Sequence, residues 1–188
     1  MILTEEIIRS AGQSFLQHSQ FSHHRFDEAK DNYDLFISHS FQDRTLISGL
    51  YALFEDAGYS VYVDWIEDSD LNRQEVTART ADLLRKRINS SKGLAYIATD
   101  NIKQSKWCPW ELGIADGMGK RTCIFPVMDR KYNGLEYLKL YPYMDYGKIR
   151  GTNSDEFWIH DIDSKSKYIN LRKWLAGQPL IDHNTDTA

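Results

Sequence analysis

"YDLFISHSFQDRTLISGLYALFEDAGYSVYVDW", residues 33–65, decides the fold. Its first segment, 33–40, is a short apolar run ending in small polar residues, which reads as a buried strand. Over 43–59, Leu46, Leu50, Leu53, Phe54 and Ala57 recur at helical spacing, and Gly58 stops the helix. Residues 60–65 are β-branched and aromatic, a second strand. A helix between two strands suits the crossover connection that joins parallel neighbours.

The alternation continues outward from this unit. A polar loop (66–75) leads to a helix at 76–91, with Val76, Ala81, Leu84 and Ile88 on its apolar side. A third strand follows at 93–99, a helix at 107–119 and a fourth strand at 121–128. Near-continuous apolar strands with short connections predict a doubly wound parallel α/β sheet, flavodoxin-like, of about five strands with helices on both faces. Beyond 129 the chain is tyrosine-rich and less regular. A short fifth strand is expected near 144–149 and a last helix at 161–177, with Tyr168, Leu171 and Leu175 inward. Upstream, residues 4–18 have the stripe of an N-terminal helix, and 19–32 read as a polar linker. The expected organisation is therefore 1–32 helix and linker, 33–177 one domain, and 178–188 a frayed tail.

Composition narrows the functions. The chain has 188 residues, 41% of them hydrophobic, and a formal net charge of −4. That balance argues against a nucleic-acid partner, which would need a clustered basic face. No apolar run approaches a membrane span, and Glu5 and Glu6 directly after "MILT" are unlike a signal peptide. The two cysteines, Cys108 and Cys123, fit neither a disulfide framework nor a zinc spacing, so a reducing cytoplasm and no metal are expected.

In open α/β sheets a ligand lies beyond the carboxyl ends of the strands, where strand order reverses. For a 2-1-3-4-5 sheet that point lies between strands one and three. Ser38, His39 and Ser40 end strand one, and Asp64 ends strand two. The segment "SKWCPWELG" (105–113) enters the next helix beside the same crevice. Trp107 and Glu111 are four apart and share a helix face, while Pro109 suits a first turn, whose amides lack partners anyway. The spacing fits a pocket wall. It fits equally a packing role in which Trp107 and Trp110 fill space and Glu111 answers the helix dipole. His39 reads as a strand-end hydrogen-bonding histidine, and Asp64 as either a ribose contact or a strand terminus.

Three motifs in order give a resemblance. "YDLFISHSFQD" resembles the opening strand and turn of TIR domains, "AGYSVYVDW" their second strand, and "SKWCPWELG" their third-helix motif. The resemblance covers about 33–149. It implies cleavage of the nicotinamide–ribose bond of NAD+, with NAD+ as substrate and no separate cofactor. The family's catalytic glutamate falls on Glu111 and its aromatic partner on Trp107, with Trp110, Ser38, His39, Ser40 and Asp64 as further substrate-binding candidates. The resemblance also implies self-association through the loop 66–75. That loop departs from the family in having neither Gly nor Pro, and Phe41 and Gln42 stand where a small residue and an acid are common.

Stand-alone bacterial TIR enzymes of this type resemble the signal-producing half of anti-phage defence, in which a cyclic ADP-ribose species reaches a separate effector. Two other readings remain open at the level of sequence. One is a non-catalytic TIR–TIR scaffold, the other a nucleoside deoxyribosyltransferase-like enzyme. Turnover of NAD+ or of deoxynucleosides separates them.

Overall fold

The computed structural model describes residues 8–9, 32–68, 77–127, 136–149, 152 and 154–184. One mixed sheet of eight strands runs through it, in the order β2-β1-β3-β4-β5-β6-β7-β8. The strands are β1 (Tyr33–Ser38), β2 (Val61–Tyr62), β3 (Ser91–Ala98), β4 (Arg121–Pro126), β5 (Tyr143–Lys148), β6 (Asp155–His160), β7 (Lys167–Asn170) and β8 (Ile181–Asp182). The helices are α1 (Arg44–Asp56), α2 (Asp64–Glu67), α3 (Ala78–Asn89), α4 (Trp107–Gly117) and α5 (Leu171–Leu175). Pairings among β1 to β5 are parallel, and those from β5 to β8 are antiparallel.

The inner strands are apolar at consecutive positions because both sheet faces are covered. Alternate side chains sort into two cores. Leu35, Ile37, Ala95, Ile97, Cys123 and Phe125 enter one, with Leu46, Leu50 and Phe54 of α1. Phe36, Leu94, Tyr96, Ala98 and Ile124 enter the other, with Leu84 and Ile88 of α3 and Cys108 and Leu112 of α4. Ile8, helical and fully buried, belongs to the first core. The rest of the expected N-terminal helix and the linker lie outside the described residues, as do 69–75 of the loop after β2.

Helix α1 ends as its sequence dictates. Gly58 takes φ 76°, its amide donates to Glu55 O at 2.9 Å, and the Tyr59 amide reaches back to Phe54 O at 2.9 Å. This is a Schellman closure, and the Tyr59 and Phe54 rings meet edge to face across it at 6.3 Å. The turn aims the chain straight into β2.

Four expectations need correction. The sheet has eight strands rather than about five, because β6, β7 and β8 extend it past β5. Strand two does not run to 65. It stops at Tyr62, and Asp64 and Trp65 open α2, where the Ile66 and Glu67 amides both donate to Val63 O at 3.0 Å. The helix expected over 161–177 is a strand followed by a short helix: β7 holds Tyr168, and Asn170 caps α5 by accepting from the Arg172 amide at 2.8 Å. The tail is not frayed as far as 184, since Ile181 and Asp182 pair with β7.

Candidate active site

The strand order reverses between β1 and β3, and the candidate residues gather at the carboxyl ends of these strands. Ser38 closes β1 opposite Tyr96 of β3. Its hydroxyl donates to Glu111 Oε2 at 2.6 Å, joining strand one to α4 across 73 residues of sequence. Both residues have no exposed surface. The hydroxyl thus satisfies one carboxyl oxygen at a site shielded from solvent, where an unpaired polar atom would be costly.

The start of α4 explains how Glu111 comes to be there. Lys106, ahead of the helix, offers no side-chain cap. Ser105 substitutes, its Oγ accepting from the Cys108 amide at 3.2 Å. Pro109 falls in the first turn, where its missing N–H costs nothing. Glu111 follows one turn after Trp107 and points inward beside it. The Trp107 ring is 8% exposed and meets Trp110 edge to face at 5.2 Å between centroids. Trp110 is half-buried and takes the Arg85 guanidinium on its face at 5.2 Å.

His39 and Asp64 form a second buried group. His39 Nδ1 lies 3.0 Å from Ile37 O, and a carbonyl only accepts, so Nδ1 carries a proton. Its Nε2 faces Asp64 Oδ1 at 3.5 Å. The Cys108 thiol donates to His39 O at 3.1 Å, which ties this group to α4. Ser40 is not aimed at Glu111. Its Oγ accepts from the Gln42 amide at 3.4 Å and caps the 3-10 turn Phe41–Asp43.

The structure thus joins Ser38 to Glu111, His39 to Asp64 and Trp107 to Trp110, and gives Ser40 a capping role. It adds residues that sequence reasoning passed over. Burial, then the neighbouring Cys108, Tyr137 and Glu111, pushes the Tyr96 phenol well above its ordinary range. The only sequence signal for Tyr96 was its parity on β3, shared with Leu94 and Ala98. Asp43 is also buried, and bonds to Thr99 and Asn101 of the turn after β3, both at 2.6 Å. Among the described residues, no group of three or more His, Cys, Asp or Glu could hold a metal ion, and no helix is long and apolar enough to cross a membrane.

The TIR domain profile matches residues 35–157. A protein of Bacillus cereus (strain MSX-D12), named a probable 3' cyclic ADP-D-ribose synthase ThsB', is 47% identical over 147 residues, covering 76% of this chain and 75% of its own. A protein of Cytobacillus dafuensis, named a putative cyclic ADP-D-ribose synthase TIR2, is 40% identical over 92 residues, 48% of this chain and 24% of its own. Among solved structures, the TIR domain of the Toll-related receptor TRR-2 from Hydra magnipapillata overlaps 60% of this chain and 82% of its own, at 22% identity and a TM-score of 0.45. With the profile spanning both walls of the crevice and the Bacillus relative aligned over three quarters of each chain, this chain belongs to the TIR domain family.

Proposed function

We propose that the chain cleaves the nicotinamide–ribose bond of NAD+ and closes the remaining ADP-ribose into a ring. The observation that carries this reading is the fully buried Glu111 carboxylate, held by Ser38 at 2.6 Å at the point where strand order reverses. The relative at 47% identity, named for 3' cyclic ADP-D-ribose synthesis, supports it.

The chemistry suits these residues. As the bond from ribose C1 to the nicotinamide nitrogen breaks, its electron pair leaves on nicotinamide, which departs neutral. The ribose is left as an oxocarbenium-like centre. A carboxylate about 4 Å away, at an effective dielectric of about 20, stabilises a full positive charge by roughly 4 kcal/mol. That is worth up to about a thousandfold in rate. A hydroxyl of the same molecule then forms the new C1–O bond and releases its proton to a base. Glu111 serves both steps, stabilising the cation and accepting the proton. The Ser38 hydrogen bond fixes which carboxylate oxygen faces the substrate. Ring closure needs water kept away from the cation, a role that suits Trp107, one turn before Glu111 on the same helix, with Trp110 packed edge to face against it at 5.2 Å.

The cyclic product acts as a signal to a separate effector in bacterial immunity, the enzyme works in the cytoplasm, and copies associate through the loop 66–75. Incubation with NAD+ followed by product mass tests the central claim. A cyclic product is one water lighter than linear ADP-ribose. Linear ADP-ribose alone leaves a hydrolase, and no nicotinamide release at all leaves a TIR scaffold.

A further inference from the structure

Asp43 stands at the residue before α1, where an aspartate ordinarily accepts from first-turn amides. It makes no such bond. Its carboxylate, 1% exposed, reaches across the crevice instead. Oδ2 accepts from Thr99 Oγ1 and Oδ1 from Asn101 Nδ2, both at 2.6 Å, and the Arg9 guanidinium lies 4.0 Å from Oδ1. A second tie spans the same two turns nearer the surface, where Gln42 Nε2 donates to Gln104 Oε1 at 3.2 Å. The register of β1 on β3 ends at Ser38 and Tyr96. Past that pair, these side chains join the two walls.

We propose that Asp43 is a positioning residue for the reaction at Glu111, an inference that rests on reading Glu111 as the catalytic carboxylate. The connection is physical at each link. On one side Asp43 is five residues from Ser38, through the capped 3-10 turn Phe41–Asp43. On the other, Thr99 and Asn101 open the 3-10 turn Asp100–Gln104, which runs into Ser105, the residue that caps α4. Helix α4 then carries Trp107 and Glu111. The Asp43 carboxylate therefore closes a ring whose opposite link is the Ser38–Glu111 hydrogen bond. Fixing one fixes the separation at the other. A neutral amide of the same shape can do the same job, because its oxygen accepts from Asn101 and its nitrogen donates to the rotated Thr99 hydroxyl.

The test compares D43A, D43N and T99V in the full chain, by NAD+ turnover well below each variant's Tm and by amide hydrogen exchange over residues 99–108. A misplacement of about 1 Å costs up to about 100-fold, so D43A should lose about 10- to 100-fold in kcat with little change in KM. D43N should stay within about threefold of the parent, the conservative rescue that a positioning role demands. Exchange in D43A should rise about tenfold over 99–108 and stay unchanged in β4 and α3. An unchanged kcat in D43A, a loss in D43N equal to that of D43A, or a uniform rise in exchange overturns the proposal. If D43A does not fold, T99V carries the test: a lower kcat at a parental Tm supports it, and a parental kcat overturns it. If the parent itself releases no nicotinamide, the functional reading fails, and local against uniform exchange still decides the tie.

Discussion

At the scale of single residues, Glu111 and Trp107 part company. Glu111→Gln keeps an oxygen to accept from Ser38 and removes a buried charge. It should cut NAD+ turnover at least about 100-fold while Tm holds or rises, since a buried charge is itself costly. A turnover assay beside a melting curve checks both halves. Trp107 is 8% exposed and sits in the second core with Ile102, Cys108 and Leu112. Truncating so buried a ring costs about 3–5 kcal/mol, a drop in Tm on the order of 10 °C for a chain this size. Trp107→Ala should therefore show first as instability, and Trp107→Phe is the variant in which KM is read. The i, i+4 pairing of Trp107 and Glu111 was legible because it is local. Asp43 was not, because in sequence it is an ordinary N-cap, and its partners Thr99 and Asn101 lie more than fifty residues away.

At the scale of elements, strands buried on both faces announced themselves as unbroken apolar runs, and α1 declared its end through Gly58. The antiparallel extension did not. In β6 only Phe157 and Ile159 are buried, and in β7 only Ile169, so polar residues interrupt each run. Tyr168, Leu171 and Leu175 mimic a helical stripe because a strand hands over to a helix at Asn170. Ties between elements are equally silent in sequence, and two of them make predictions. Asp34 binds Lys92 Nζ at 2.7 Å and the Ser60 amide at 2.9 Å, lacing β1 to both neighbours. Burial alone would raise its pKa, but the Lys92 and Ser60 bonds outweigh it and hold the carboxyl below its ordinary 3.8. A folded-state pKa below the unfolded one gives stability that is present above the unfolded value and lost as pH falls through the folded one. Below about pH 4, D34N should lose less Tm per pH unit than the parent, as read by melting curves across that range. The second tie is Asp68, whose two carboxylate oxygens accept from Arg87 Nη2 at 2.8 Å and Nε at 2.9 Å, with the Tyr62 hydroxyl donating at 2.8 Å. A double-mutant cycle on D68N and R87A should give a coupling of about 1–3 kcal/mol, and R87K should not rescue, because an ammonium cannot reproduce the fork.

At the scale of the whole molecule, that fork changes how assembly must be tested. The resemblance places the contact between TIR copies in the loop 66–75, whose first residues are now seen to belong to α2 and to the Asp68–Arg87 clamp. Reversing the charge of Asp68 would break a tie that is mostly shielded from solvent within one chain, so lost activity would say nothing about contacts between chains. Asp70 lies past the clamp, outside the described residues, and is the better probe. The closed crevice gives a reason to expect assembly to matter. Glu111 and Ser38 have no exposed surface. On the proposed reading, a substrate reaches Glu111 only when the side chains covering it move aside with the Asp43 tie intact, and a neighbouring copy that binds that open form better would raise its population by that difference in affinity. Specific activity should then rise with enzyme concentration instead of staying constant. D70K should shift that rise to higher concentration, or flatten it, with an unchanged melting curve. Turnover strictly proportional to enzyme down to the lowest measurable concentration, in parent and D70K alike, would mean that a single copy opens the crevice unaided.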